Sequence, residues 1–338
     1  MQYQFARKGH DEFIGYLKGI CIIFVILAHA FSVETQRCTL SSLWIQQTVP
    51  LFLIIHVIHV CRNYYTSGFP GLTNRYFSSN ALVKLIKKII LPFFLCTLVQ
   101  SLMLLALGYD LNVVLSTVVK RGGFGPGSYY PWIYLQLYAL TPFVILLLSK
   151  NNFLKGGVLL AMVCTALEIM CSKFGMSNGL WRLCCIKYIY LIYLGWQLYL
   201  TQIKMNRTRL FLSLASLIFI LLDNYTSIDF SPLFYESDWN GFHWLAYFYT
   251  AYLFMYIMYT LYDKSQSLKK LVLYLGKYSW QIFLWQMFVF WLADLLLGEA
   301  WDNLSGYSFI YSILLSCFVL TVPLWIIKKI EGSKYETT

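Results

Sequence analysis

Long apolar runs, separated by short polar connections, fill most of the chain. Each run is too long for a strand and long enough for a helix that crosses a bilayer. The connections contain no visible repeat or low-complexity tract. The pattern predicts an all-α, polytopic integral membrane protein, with about ten transmembrane helices in one bundle and one domain over residues 1–338. The predicted spans are residues 14–34, 43–61, 82–107, 131–149, 154–173, 183–201, 208–223, 243–262, 279–297 and 307–327.

Composition and charge agree with this class of protein. Hydrophobic residues make up 59% of the chain and charged residues 12%, which leaves too little polar surface for a water-soluble globule. Placing the N-terminus inside assigns eighteen lysines and arginines to cytoplasmic ends and five to outer loops. We therefore expect both termini to be cytoplasmic. The net charge of +11 then reflects topology and contact with anionic membrane lipids, and nucleic acid is not an expected partner.

The nine cysteines show no metal-ligand spacing, so we expect no metal site. Most of them fall within predicted spans and are interpreted as small apolar packing residues. Cys171, Cys184 and Cys185 lie near the outer side, and the sequence leaves open whether any two of them form a disulfide.

The first predicted span carries two ionisable residues on one face. Lys18 precedes His29 by eleven positions, and at about 100° per residue the two share a helical stripe, roughly 16 Å apart. Ionisable groups inside a span are costly and often functional. A groove holding both would present a cation near the cytoplasmic edge and, further in, a neutral imidazole able to act as a general base. The alternative is that Lys18 snorkels to the headgroups while His29 hydrogen-bonds a neighbouring helix.

A second basic cluster opens the third span, where Lys84, Lys87 and Lys88 precede Pro92. Two interpretations remain open. The lysines are a topological anchor at the inner membrane edge, or they bind the phosphates of an anionic cytoplasmic cofactor as point charges.

These features resemble, in order and spacing, the acyltransferase-3 family of bacterial membrane O-acyltransferases. The resemblance rests on Lys18-Gly19 followed by His29, on Pro50-Leu51-Phe52, on the lysines before Leu91-Pro92, on Gly125-Pro126-Gly127-Ser128-Tyr129 before Ile133-Tyr134-Leu135-Gln136, and on Leu275-Gly276-Lys277-Tyr278-Ser279 before Phe283-Leu284-Trp285-Gln286. These motifs extend over most of the chain.

The resemblance implies a ten-helix enzyme of the bacterial inner membrane. Such an enzyme takes an acyl group, usually acetyl, from a coenzyme A thioester and transfers it to a hydroxyl of a cell-surface or lipid-linked glycan. It implies His29 as the catalytic histidine, and it places the donor phosphates on Lys84, Lys87 and Lys88 with Lys18 nearby.

The chain departs from the family pattern at several positions. Lysines stand where many relatives have arginines, which keeps the charge and loses bidentate phosphate binding. Gln286 stands where many have a histidine, and a glutamine cannot carry a proton between reactants. His56-Val57 replaces a common Ser-Gly pair of the second span.

Four further residues are candidates for acceptor binding or for support of the site, namely His59, Gln136, Glu168 and Gln286. For His59 the favoured interpretation is a hydrogen bond between helices. Glu168 lies near the outer end of the fifth span, where it either orients an acceptor sugar or is solvated among the headgroups.

A glycan exporter is the opposing functional class, because ten helices with buried ionisable groups also describe a transporter. Transporters often show internal pseudo-symmetry and paired broken helices, and neither is evident in this sequence. No motif identifies the acceptor glycan, the acyl chain or the oligomeric state.

Overall fold

The computed structural model describes residues 8–150, 153–226, 228, 230, 234–235, 243–264, 266–298 and 309–335. Every regular element in these ranges is helical, which confirms the predicted class. The α-helices are α1 Lys8–Ala30, α2 Val33–Cys38, α3 Thr48–Phe77, α4 Ser79–Leu85, α5 Leu91–Ala106, α6 Leu111–Arg121, α7 Tyr130–Lys150, α8 Phe153–Lys173, α9 Asn178–Leu183, α10 Tyr190–Thr201, α11 Arg207–Tyr225, α12 Met255–Lys264, α13 Gln266–Lys277, α14 Ser279–Leu297 and α15 Phe309–Tyr335. Short 3₁₀ helices cover Ser41–Leu43, Ile186–Tyr188 and Trp244–Ala246, and π-helices cover Ile86–Ile90 and Tyr249–Phe254.

Within the described ranges, seven helical segments are long and apolar enough to cross a membrane. They are Glu12–Ala30, Ser41–Phe77, Ser79–Ala106, Tyr130–Lys150, Leu154–Lys173, Arg207–Tyr225 and Ser279–Leu297. The predicted number of about ten is therefore not confirmed. Two of the remaining predicted spans, 183–201 and 243–262, are each divided into short helical pieces, and the third, 307–327, falls largely within α15.

The core of the bundle lies around α3, α7 and α10. Nearly every side chain from Tyr190 to Tyr199 is buried, so α10 is enclosed by other helices and not by lipid. A Cβ at Gly195 would lie 2.7 Å from Cβ of Val57, so the glycine lets α10 approach α3 closely. The outer helices α5, α8 and α11 instead leave large apolar side chains exposed, as a lipid-facing surface requires.

Helices α1 and α13 cross with their backbones in contact. A Cβ on Gly19 would collide with the carbonyl oxygen of Val272, and a Cβ on Gly276 would collide with the carbonyl oxygen of Gly15. Because each glycine faces backbone that cannot rotate away, both positions require a residue without a side chain. The crossing joins the first motif of the chain, Lys18-Gly19, to the Leu275–Ser279 motif.

Contacts at one end of the bundle hold α13 in this position. Lys269 lies 3.4 Å from the Glu12 carboxylate, and the Tyr262 hydroxyl donates to the same carboxylate at 3.0 Å. A hydrogen bond with Tyr262, followed by the pairing with Glu12, raises the pKa of Lys269. The Glu12 side chain is 58% exposed and that of Lys269 is 20% exposed, so we assign this surface pair a positioning role and little stabilisation.

Helix α3 is interrupted at Gly68, whose φ of 68° lies in the region that favours glycine. Pro70 follows two residues later, in the first turn of a second helical piece, where its missing N–H is tolerated. The chain therefore changes direction before Phe77, and the end of α3 forms a compact pair with the start of α4.

The crossing of α1 and α13 predicts that alanine substitutions at two glycines of α1 change the stability of the protein by very different amounts. We expect Gly19→Ala to destabilise the protein by about 1–3 kcal/mol, because overpacking forces two backbones apart. Gly15→Ala is the matched control, since its Cβ would meet only the flexible Leu273 side chain at 3.2 Å. The measurement is thermal unfolding of both variants in detergent. Equal unfolding temperatures would contradict the backbone contact.

Candidate active site

His29 lies in the last turn of α1 and faces the interior of the bundle. Its ring meets the Phe290 ring of α14 edge-on, with centroids 6.0 Å apart. Ile22 and Ile26, on the same stripe of α1, are fully buried in a cluster that includes Phe283 of α14. The stripe predicted from the sequence is therefore a packed surface between α1 and α14, with a partly buried imidazole near its far end.

Arg182 is the charged residue that the structure brings to His29. It lies in the short helix α9, and it interacts electrostatically with the imidazole. Its guanidinium lies 5.1 Å from the centroid of the Tyr129 ring, at a distance typical of cation–π contacts. In the sequence, Arg182 is only one of the five charges assigned to outer loops. No local pattern pairs it with His29, because the two residues are distant in sequence.

Gln136 holds the chain segment that follows Arg182. Its Nε2 donates to the Leu183 carbonyl at 2.6 Å, and its Oε1 accepts from the Cys185 N–H at 3.0 Å. Both ends of the amide are thus engaged with the backbone between α9 and α10. The structure places this predicted candidate as a support that fixes α9 against α7.

A glycine-rich connection, residues 122–129, enters the bundle between α6 and α7. We call it the glycine segment. Its four glycines all have positive φ, and a Cβ at Gly125 would collide with the carbonyl oxygen of Met287. Met287 is the ninth of the nineteen residues of α14, so the segment reaches the middle of that helix. Non-helical backbone at such depth must be enclosed by protein or line a cavity.

Gln286 fixes the glycine segment from α14. Its Nε2 donates to the Pro126 carbonyl at 3.3 Å, and the side chain is fully buried. The sequence analysis placed this residue where relatives often have a histidine. In the structure this glutamine contacts the backbone of the glycine segment. Gln286 lies one helical turn before Phe290, the residue against which His29 packs.

A second buried polar group lies on the other side of the α9–α10 connection. The carboxylate of Glu168, in α8, accepts from the Tyr235 N–H at 3.3 Å and lies 2.7 Å from Nδ1 of His243. Glu168 is completely buried, so the solvated alternative is wrong. Lys187, itself buried, interacts electrostatically with both Glu168 and Arg182. Charged groups therefore connect the surroundings of His29 with the Glu168–His243 pair.

Two histidines of α3 lie apart from this site. His56 is buried against the rings of Tyr134 and Tyr138, with centroid distances of 5.1 and 5.9 Å. His59 follows one turn later and interacts electrostatically with His56. Among the described residues, no group of three or more histidines, cysteines or acids could hold a metal ion.

The predicted donor-binding lysines lie at the end of the bundle where α3 ends and α4 begins. Lys84 borders a groove of about 650 Å³, together with Thr66, Ser67, Gly71, Asn74, Arg75, Ser78, Asn80 and Ala81. Lys87 and Lys88 are exposed in the π-helix that follows. Lys18 is partly buried beside the crossing of α1 and α13. The groove adds Arg75, a guanidinium that the sequence analysis counted only toward topology.

The cysteines are all free. Among them, Cys171 and Cys185 are buried and Cys184 is partly buried at the outer end of the bundle.

Comparison with known proteins adds one finding. Residues 11–328 match the acyltransferase-3 family, which is described as an acyltransferase domain. No curated protein and no solved structure matches the chain. The family match covers nearly the whole chain, including His29, the glycine segment and Gln286. The chain belongs to the acyltransferase-3 family and is an acyltransferase.

Proposed function

We propose that the protein is a membrane-embedded O-acyltransferase that transfers an acyl group, foremost acetyl, from a coenzyme A thioester to a hydroxyl of a cell-surface or lipid-linked glycan. The observation that carries this proposal is that His29 lies inside the bundle within electrostatic range of Arg182. An imidazole and a partly buried guanidinium within electrostatic range of each other supply a proton acceptor and a stabiliser of negative charge, which acyl transfer to an alcohol requires.

His29 acts as the general base. A nitrogen of the neutral ring takes the proton of the glycan hydroxyl while the hydroxyl oxygen attacks the thioester carbonyl carbon. The tetrahedral intermediate then collapses, the carbon–sulfur bond breaks, and the coenzyme A sulfur leaves with the proton that the imidazole had taken. The products are an O-acyl glycan and the free thiol, and His29 returns to its neutral form.

Arg182 stabilises the oxyanion of the tetrahedral intermediate. Its guanidinium offers several N–H donors and is always charged. The Tyr129 ring, 5.1 Å away, and the support of the following segment by Gln136 limit its movement. Because these contacts exist before substrate arrives, the charge needs little reorganisation during the reaction.

The groove beside Lys84 supports binding of the donor nucleotide. Arg75 and Lys84 supply positive charge, and Ser67, Asn74 and Asn80 supply neutral hydrogen-bonding groups. An arginine fork binds phosphate with two hydrogen bonds, so Arg75 provides what a lysine alone lacks. Lys18, Lys87 and Lys88 remain predicted contributors to the same anionic ligand.

The charge distribution supports an orientation with both termini in the cytoplasm of a bacterial inner membrane. In this orientation the groove opens to the cytoplasm, where acyl-coenzyme A is made, and its lysines also contact anionic lipids. The Glu168–His243 pair then lies on the outer side, where a carboxylate suits a glycan hydroxyl.

The decisive experiment uses the purified full-length protein in detergent, labelled acetyl-coenzyme A and a bacterial polysaccharide acceptor. We expect label to move to the glycan without any membrane gradient. Transfer under these conditions would exclude a purely transporting role. Absence of transfer from a folded protein that binds acetyl-coenzyme A, over a panel of acceptors, would contradict the proposal.

His29→Gln should abolish transfer. We expect kcat to fall by about 10²–10⁴-fold, because glutamine fills similar space and cannot accept and return the proton. Binding of coenzyme A should be unchanged, which serves as the control for folding. The check is acyl transfer and calorimetric binding on the same preparation. Retained transfer in a variant with normal binding would remove the assignment of His29.

Arg182→Gln should lower kcat by about 10²–10³-fold with a much smaller change in KM, because the lost contact forms in the transition state. Arg121→Gln is the matched control, since Arg121 is an exposed arginine just before the glycine segment. We expect the control to keep the kcat of the parent protein. A change confined to KM would assign Arg182 to substrate binding and contradict the proposed role.

Charge reversal in the groove should weaken donor binding. We expect Arg75→Glu combined with Lys84→Glu to raise the Kd for coenzyme A by about 100-fold, with a shallower dependence on salt. Lys155→Glu, an exposed lysine at the start of α8, is the control for a general change in charge. Equal effects of the groove and control variants would show that the groove is not the nucleotide site.

A further inference from the structure

Three buried polar side chains, two beside the glycine segment and one a helical turn away on α5, do not satisfy all their hydrogen-bonding groups. Thr97 and Gln100 of α5 are 5% and 0% exposed, and Gln286 of α14 is 0% exposed. Thr97 Oγ1, Gln100 Nε2 and Gln286 Oε1 have no hydrogen-bond partner in the described part of the chain. Buried polar atoms are rarely left in this state, so three in one region call for a ligand.

The arrangement of these atoms follows from the glycine segment. Thr97 Oγ1 lies 3.4 Å from the position that a Cβ on Gly123 would occupy, and Gln286 Nε2 lies 3.8 Å from the corresponding position on Gly127. Gln100 follows Thr97 by one helical turn, on the same buried face of α5. The segment thus brings polar atoms of α5 and α14 to one strip of backbone that has no side chains at Gly123 and Gly127.

The polar atoms match an amide more closely than the other groups of the reactants. They comprise a donor, an acceptor and a hydroxyl, none of them charged, so they do not suit phosphate. Phe93, next to Gly123, and the Phe283 ring, next to Gly127, give the strip apolar walls. A chain that carries uncharged amide groups between apolar carbons matches these surroundings in chemistry, whereas a sugar ring presents many hydroxyls that three polar atoms would leave unpaired.

We propose that Thr97, Gln100 and Gln286 bind the amide groups of the pantetheine arm of the acyl donor. This inference rests on the proposed function, in which the donor is a coenzyme A thioester. Gln100 Nε2 and the Thr97 hydroxyl donate to amide carbonyls of the arm, and Gln286 Oε1 accepts from an amide N–H. Gln286 lies one turn before Phe290, which packs on His29, so the arm leads its thioester toward the imidazole.

The test separates the arm of coenzyme A from its nucleotide. Calorimetry on the purified full-length protein in detergent measures the Kd of acetyl-coenzyme A, of pantetheine and of adenosine 3′,5′-bisphosphate. We expect Gln100→Leu and Gln286→Met each to weaken pantetheine and acetyl-coenzyme A by about tenfold and to leave the nucleotide fragment unchanged. Thr97→Val, which keeps the shape of threonine, should show a smaller loss of the same kind.

Ser101→Ala is the matched control on α5, because the Ser101 hydroxyl already donates to the Thr97 carbonyl at 2.8 Å. We expect it to bind all three ligands as the parent protein does. The inference is overturned if the variants at Gln100 and Gln286 bind pantetheine normally, or if they lose the nucleotide fragment to the same extent. A parent protein that binds none of the three ligands would instead contradict the proposed function itself.

Discussion

Inside a membrane bundle, every polar group must find its partner within the protein or in a ligand, because the surrounding hydrocarbon offers none. This constraint governs the region around His29. The glycine segment and the α9–α10 connection are not regular helices, and both pack against buried helices. Gln286 of α14 hydrogen-bonds to the backbone of the first, and Gln136 of α7 hydrogen-bonds to the backbone of the second. The site exists because two irregular connections enter the bundle and bring their polar backbone with them. Arg182, which packs over the Tyr129 ring, comes within electrostatic range of His29 by this route.

The contact between α1 and α13 explains why two distant motifs occur together. Gly19 follows the lysine of the first motif, and Gly276 precedes Lys277 in the second. Each glycine admits the backbone of the other helix, so the motifs are two sides of one crossing. Since α14 begins directly after α13, this crossing also determines where Gln286 and Phe290 of α14 lie inside the bundle. The glycines thus act on the chemistry indirectly, through the relative placement of α1 and α14.

Local patterns predicted a large part of this structure. The all-helical class, the helix that carries Lys18 and His29, and the burial of its stripe follow from periodicity within one segment. The number of about ten spans is not confirmed, because the runs at 183–201 and 243–262 are divided into short helical pieces, and an apolar run alone does not reveal such a division. Arg182, Arg75, Thr97, Gln100 and His243 were missed as site residues. Each acquires its role from neighbours distant in sequence, which no spacing rule on a single chain reports.

The break at Gly68 bears on which part of α3 lies within the hydrocarbon layer of the membrane. Uninterrupted, α3 would be too long for a bilayer, but the twenty residues 48–67 before the break span roughly 30 Å, which equals the thickness of the hydrocarbon layer. We therefore expect residues 69–77 and the adjoining groove to lie beyond the hydrocarbon, in the aqueous phase. A multiply charged nucleotide bound there would keep much of its hydration, and only the uncharged remainder of the molecule would have to enter the apolar interior.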